Sequence, residues 1–264
     1  MLDSQTRRSD KLTVDGVAIN VFSMAEAVSS IVSAARSGDG FSVYTLNLDH
    51  VAQLKHHRDF RAAYRRARFV TADGFPLVIL GRLAGTHIER TTGADLVEPV
   101  CKQAGRNKIP VFFFGSSNLT LHRTIRRLSE RCNGLGVVGS LSPHVNFDPY
   151  SAEADQAIDR IRTSQARLCF VALGAPKQEI FAARCLDELP GVGLLCIGAA
   201  LDFIAHTQDR APAITQKIGL EWAWRMLSNP RRLGPRYARC MAVVPGLVVR
   251  SLPQIVTARI RKAA

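Results

Sequence analysis

Three short polar pieces, each following an apolar β-prone run, carry the residues with chemistry to offer. Val43-Tyr44-Thr45-Leu46-Asn47 ends in a hydroxyl and an amide, Thr71-Ala72-Asp73-Gly74 ends in a carboxylate, and Glu89-Arg90-Thr91-Thr92-Gly93 brings a guanidinium a few residues later. In an open parallel sheet, ligands bind at the carboxyl ends of the strands. A carboxylate there can take a proton from an attacking hydroxyl if it is partly withdrawn from water and close to that hydroxyl. Asp73 is the candidate base; the plainer reading of an Asp-Gly pair is a turn. Thr45 and Asn47 are placed to hydrogen-bond a sugar or a phosphate, or simply to cap the helix that follows. Arg90 can neutralise a leaving diphosphate, or form an ion pair with Glu89 or Asp95.

Further strand-to-helix junctions repeat the theme. Phe114-Gly115-Ser116-Ser117-Asn118 offers free backbone N–H groups to phosphate oxygens, although no complete Walker or dinucleotide fingerprint is present. In Gly174-Ala175-Pro176-Lys177-Gln178-Glu179, a cation sits in the first helical turn, against the dipole, which is more natural if an anion docks there. Asp202, in Gly198-Ala199-Ala200-Leu201-Asp202-Phe203, is a further strand-end carboxylate able to accept from a ribose or a base, with a structural turn as the alternative. The seven histidines show no metal-ligand spacing and no Asp-x-Asp motif is present, so neither a metal nor another cofactor is expected. Any diphosphate leaving group must then be met by arginines and helix N-termini.

The 264 residues fit one sizeable domain with an appendage, and a hydrophobic content of 47% is ordinary for a globular chain. The formal charge of +13 points to an anionic partner: nucleic acid, a membrane surface or a phosphorylated substrate. The charge is concentrated from residue 210 onward, where eleven arginines and lysines face a single acid, Glu221. Arginines mixed there with Trp222, Trp224, Leu227, Tyr237 and Met241 have the composition of an interfacial helix on anionic lipid. The six cysteines form no Cys-x-x-Cys pair and several lie in apolar runs, so they are expected as buried free thiols. The N-terminal residues carry no apolar signal core, and no run is expected to reach the roughly 20 apolar residues that span a bilayer.

Short apolar strands alternate with helices of about a dozen residues, the pattern of parallel βαβ units. Strands are expected over Phe41–Thr45, Phe69–Thr71, Val111–Gly115, Leu135–Gly139, Arg167–Leu173 and Val192–Ile197, after a hairpin around Asp15-Gly16. One helix is expected from about Asp49 to Arg66. The fold class is therefore α/β: a Rossmann-like, mostly parallel sheet with helices on both faces, plus a basic helical C-terminal appendage. The boundary is placed at Arg210-Ala211-Pro212, giving a catalytic domain over 1–209 and an appendage over 210–264. The apolar stretch Met241–Val256 is expected to be interrupted by Pro245, Gly246 and Pro253.

These pieces together resemble the WecG/TagA/CpsF glycosyltransferases of bacterial surface-polysaccharide synthesis. The resemblance rests on Thr45-x-Asn47 with Asp49-His50, Ala72-Asp73-Gly74, Glu89-Arg90-x-x-Gly93-x-Asp95-Leu96 and Gly174-x-Pro176-Lys177-Gln178-Glu179. Asp202-Phe203, Arg210-Ala211-Pro212, Gly219-Leu220-Glu221-Trp222-x-x-Arg225, Asn229-Pro230-x-Arg232 and Arg236-Tyr237 continue it in order. The resemblance implies metal-independent, inverting transfer of a hexose from a UDP-sugar to a sugar carried on a polyprenyl diphosphate. It implies Asp73 as the base, Thr45, Asn47 and Gln178 lining the pocket, and Arg90, Arg225, Arg232 and Arg236 meeting the diphosphates. It also implies that the appendage docks on the anionic inner face of the cytoplasmic membrane and completes the site, making the protein cytoplasmic and peripheral. Gly115-Ser116-Ser117, Ala199-Ala200-Leu201 and Ala205-His206 depart from the family pattern around the expected sugar pocket, so the resemblance does not fix the hexose.

No nucleic-acid partner is expected under this reading, and a homo-oligomer is compatible with it. Two other readings stay open on sequence: a nucleic-acid-binding module using the basic tail, and a nucleotide-sugar hydrolase on the same fold.

Overall fold

The computed structural model describes residues 12–209, 211–212, 215, 221–228 and 230–263; the side chains of residues 225, 228, 232, 258, 259 and 261–263 lie outside that description. Two short strands, β1 (Leu12–Val14) and β2 (Val17–Ile19), form an antiparallel hairpin turning through Asp15-Gly16. A six-stranded parallel sheet follows: β3 (Phe41–Leu46), β4 (Phe69–Ala72), β5 (Val111–Gly115), β6 (Val137–Leu141), β7 (Leu168–Ala172) and β8 (Gly193–Cys196). The spatial order is β4-β3-β8-β7-β5-β6. All observed pairings in that sheet are parallel.

Strands covered on both faces read as continuous apolar runs, and their side chains divide by parity between two cores. Phe41, Val43, Val111, Phe113, Leu168 and Phe170 face the first, with helices α1 (Met24–Ser37), α5 (Gly93–Arg106), α6 (Asn118–Arg131) and the short α9 (Ala200–Ile204) packed over them. Tyr44, Leu46, Phe112, Phe114, Cys169 and Val171 face the second. There the cover is α2 (Leu48–Leu54), α3 (Arg58–Arg65), α4 (Phe75–Leu83), α7 (Ala152–Thr163) and α8 (Lys177–Glu188), together with the hairpin. All six cysteines are buried with free thiols.

Two departures from the sequence reading matter for the site. The helix expected over 49–66 is two helices, broken at Lys55-His56-His57. The turn lets Phe60 and Tyr64 of α3 close on His50 of α2, with ring centroids 5.5 and 6.1 Å from the imidazole. The second departure is at the C-terminus, where α10 (Glu221–Ser228) is followed by one continuous helix, α11 (Pro230–Ala263). Pro235, Pro245 and Pro253 lie inside it and are exposed. A proline frees the carbonyl four residues earlier. At Met241 and Val249 those carbonyls belong to exposed residues, where water can meet them.

Because the prolines do not break α11, Leu233–Thr257 forms a 25-residue segment whose most apolar 18-residue window has a mean hydropathy of 1.5, enough to cross a membrane by length and composition alone. This corrects the expectation that no such run exists. The same helix is tied to the body, however. Cys240, Val243, Leu247, Ser251 and Ile255 form a buried stripe. Arg250 pairs with both carboxylate oxygens of Asp15, and the Gln254 amide exchanges two hydrogen bonds with the Thr13 backbone.

Candidate active site

The site is assembled where β3 and β4 end side by side. Their ladder pairs Thr45 with Thr71 and Leu46 with Ala72. The Asp73 N–H then donates to the Leu46 carbonyl at 2.7 Å, carrying the register one residue further so that Asn47 and Asp73 stand abreast. Gly74 turns the chain at φ +118° into α4, a conformation that only glycine adopts readily. Asn47 is the N-cap of α2: its Oδ1 accepts from the His50 N–H at 3.0 Å. Its amide also lies close enough to Asp73 to favour the ionised carboxylate. Of the two roles considered from sequence, the structure shows the cap. Thr45 is buried at the end of β3.

Arg90 comes near enough to act on Asp73 through its charge because residues 89–92 are stitched to the end of β4. Glu89 N–H donates to the Phe22 carbonyl, Thr91 N–H to the Ala72 carbonyl at 2.8 Å, and the Thr71 hydroxyl to the Thr91 carbonyl at 2.9 Å. Thr92 then caps α5 by accepting from the Asp95 N–H and donating to the Asp95 carboxylate. Arg90 sits with one guanidinium nitrogen 3.4 Å from Asp95 and the other 3.5 Å from Glu221 of α10. Of the two partners considered from sequence, the structure selects Asp95; Glu89 instead accepts from the Met24 N–H. A side chain added at Gly93 would come within 2.8 Å of the Ile197 backbone, so glycine lets α5 begin directly against the end of β8.

Asp73 is half-buried, and withdrawal from water pushes its carboxyl up from 3.8 to about 6. The Arg90 cation opposes that rise, Glu221 adds to it, and the Asn47 side chain reduces it. Desolvation wins, yet the group is still ionised at neutral pH, the combination a general base needs.

Beneath this carboxylate lies a buried polar layer whose titratable groups are pushed toward their uncharged forms. His50 is held down to about 3 by burial, with the Arg236 charge in the same direction, and its Nδ1 is 2.7 Å from the Tyr64 hydroxyl. Burial drives the Tyr44 and Tyr64 phenols well above their ordinary range. Tyr44 donates to the main-chain carbonyl of Glu179. Gln178, expected in the pocket lining, is only 3% exposed. Its Oε1 accepts from the Gly198 N–H at 3.0 Å and its Nε2 donates to the Glu179 carboxyl at 2.8 Å. It therefore couples the start of α8 to the end of β8 from below. The other carboxyl oxygen of Glu179 is buried without a partner, and burial raises this acid from 4.5 to about 7.

Asp202 forms a second cluster across the strand ends. Its Oδ1 accepts from the Ser116 hydroxyl at 2.9 Å, from Thr120 at 3.3 Å and from Thr207 at 3.2 Å. The Gly115-Ser116-Ser117 junction and Asp202, separate motifs in sequence, are one constellation in space. Ser117 caps α6.

The C-terminal helices add cations to the rim. Arg236 pairs with Asp49 in the first turn of α2 at 3.1 Å, and Gln53 donates to the same carboxylate oxygen. A cleft of about 550 Å³ opens there, lined by Asp49, Gln53, His56, His57, Arg236 and Arg239 with Ala175 from the end of β7. A larger groove, about 1060 Å³, lies between α1 and α5 and holds none of the strand-end candidates. The backbones of Arg225 and Arg232 belong to α10 and α11, but their side chains, like Arg210 and residues 216–220, lie outside the described residues. Among the described residues, no three or more His, Cys, Asp or Glu side chains converge as a metal site would require.

The structure thus brings Thr45, Asn47, Asp73 and Arg90 to one pair of strand ends, sets Asp202 across the sheet and Arg236 at the rim, and tucks Gln178 beneath. Glu221 and the buried Glu179 carboxyl were not assigned from sequence. The signal for Glu221 was its solitude among eleven bases; for Glu179 nothing in the local pattern announced burial.

The description "Glycosyl transferase WecG/TagA/CpsF family" matches residues 12–259, nearly the whole chain, and the chain belongs to that family. It is accordingly a glycosyltransferase of surface-polymer biosynthesis, using a nucleotide-sugar donor and a sugar acceptor.

The Glu179 environment gives a stability test. The folded carboxyl keeps its proton to about pH 7, while the unfolded one releases it near 4.5. Relative stability is therefore lost as pH rises through that window. Against wild type, Glu179→Gln should gain about 2 kcal/mol between pH 5.5 and pH 8 in denaturant titrations; a difference independent of pH would contradict the buried-acid assignment.

Proposed function

We propose that the chain moves a hexose from a UDP-sugar to a sugar on a polyprenyl diphosphate, with inversion, without a metal, and with Asp73 as general base. The observation that carries this reading is the pairing of a half-buried, raised carboxylate with one loosely held guanidinium at adjacent ends of a parallel sheet. Asp73 takes the proton of the acceptor hydroxyl as its oxygen bonds to the anomeric carbon. The bond from that carbon to the diphosphate oxygen breaks on the opposite face, and UDP leaves with the electron pair. Arg90 stands where that charge develops, helped by backbone N–H groups at the helix starts and by Arg236, Arg225 and Arg232 of the C-terminal helices. Thr45, Asn47 and the Asp202 cluster orient the sugar and the nucleoside, while Gln178 fixes the Gly198 turn from behind.

The same reading makes residues 210–264 a membrane-docking appendage on the inner face of the cytoplasmic membrane. The support is a division of α11 into two faces. Its buried stripe packs on the body, while Met241, Val248, Val249, Leu252, Val256 and Ile260 are exposed on the other side. Trp222, Trp224 and Leu227 of α10 are exposed as well. A helix clasped to the protein through Arg250 and Gln254 and apolar on its outer side suits lying in the interface better than crossing the bilayer.

Two experiments test these halves. On a panel of UDP-hexoses with a synthetic polyprenyl-diphosphate sugar, Asp73→Asn should keep UDP affinity while turnover falls by about a hundred- to ten-thousandfold. Undiminished transfer would remove Asp73 from the mechanism. For the membrane half, the double variant V249E/L252E alters only exposed positions. It should fold as wild type yet lose most sedimentation with phosphatidylglycerol vesicles; unchanged binding would contradict the docking face.

A further inference from the structure

Beyond Asp73 and the arginines, the Glu221 side chain of α10 reaches into the strand-end site. Glu221 is the only acid between residue 210 and the end of the chain, within a segment carrying eleven lysines and arginines. A surface built for anions gains nothing from a carboxylate unless that carboxylate has a cation to hold. Its carboxylate stands 3.5 Å from one Arg90 nitrogen, while Asp95 stands 3.4 Å from the other. The Arg90 and Glu221 side chains are each only 20% exposed, so their attraction is screened less than that of a surface pair.

Both distances are longer than the 2.7–2.9 Å or so of tight charge-assisted hydrogen bonds. The guanidinium is steered from two sides without being saturated, and keeps capacity for a third anion. The next residue, Trp222, packs on Tyr237 of α11 with ring centroids 5.9 Å apart, and its neighbour Arg236 is paired with Asp49. The helices are therefore pinned at two charged points, one beside the end of β4 and one beside the start of α2.

We propose that Glu221 is a positioning residue of the transfer reaction: from α10 it holds one edge of the Arg90 guanidinium and, opposite Asp95, sets where that cation stands against Asp73. The base is then completed by the C-terminal helices, and their docking is sensed at the reacting centre through one carboxylate. Asp73 is faced by Arg90 from the 89–92 segment, Asp95 from α5, Glu221 from α10 and the Asn47 amide from the end of β3, with the Tyr64 hydroxyl deeper on α3. Within that set Glu221 disfavours the ionised form of Asp73 directly, and under the proposal its hold on Arg90 also keeps that cation from moving closer to Asp73. Both effects disappear in the same direction when its charge is removed.

The proposal rests on the reading of Asp73 as base, and the test separates the two. The Asp73 carboxyl is titrated by carbon NMR in the full-length wild type, E221Q and E221D, assigned by its absence in D73N. Turnover of the four proteins is compared on the UDP-hexose panel. The expected result is a midpoint about half a pH unit lower in E221Q than in wild type. Turnover should fall about ten- to a hundredfold, with both changes largely reversed in E221D. A titration that does not move in E221Q overturns the proposal whatever the turnover, since helix docking alone would lower the rate without touching Asp73. A D73N protein as active as wild type would instead remove the base assignment, and the positioning role with it.

Discussion

A carboxylate kept half out of water, opposite a guanidinium that is not allowed to close on it, is the constraint around which this molecule is arranged. Were Arg90 to form a tight pair with Asp73, the carboxyl would lose its basicity and the cation would be spent. Asp95 and Glu221 instead share the guanidinium between them at 3.4 and 3.5 Å. The ladder between β3 and β4 places Asn47 against Asp73, and the 89–92 segment along the end of β4 delivers Arg90. Desolvation raises the Asp73 carboxyl and Arg90 moderates the rise, leaving a group ionised at neutral pH yet still able to take a proton.

The polar layer below is biased toward its uncharged forms. His50, Tyr44, Tyr64 and Glu179 are all buried, and burial pushes each toward its uncharged form near neutrality. A charged group there would compete with Arg90 for control of Asp73. The hydrogen bonds of this layer fix geometry instead: Tyr44 to the start of α8, and Gln178 from there to the Gly198 turn. Support for the site thus comes from buried polar groups that orient one another through hydrogen bonds.

Much of the architecture was legible in the chain because both faces of the sheet are covered. Val111-Phe112-Phe113-Phe114 and Leu168-Cys169-Phe170-Val171 are apolar at every position, the mark of strands buried on both sides, and the glycines after them announce the junctions. Asn47, Asp73 and Arg90 were legible as strand-end groups for the same reason. The break at Lys55-His56-His57 was hidden, since it contains neither glycine nor proline and apolar residues continue on either side; it is imposed by packing of α3 on α8 and of His50 against Phe60 and Tyr64. At α11 the error ran the other way. Pro245, Gly246 and Pro253 suggested interruption, but contacts with α2, α4 and the hairpin hold the helix through them. Long-range partners such as Glu221 for Arg90, 131 positions apart, leave no local trace.

The most direct check on this account is the pH dependence of kcat/KM for the wild-type chain with its preferred UDP-hexose and a polyprenyl-diphosphate acceptor. Falling pH protonates the base, so the rate should decline along a single acid limb centred near pH 6, where burial holds Asp73. A limb centred near 4, the ordinary position of an exposed aspartate, or a rate flat through pH 5 would contradict the claim that a desolvated Asp73 drives transfer.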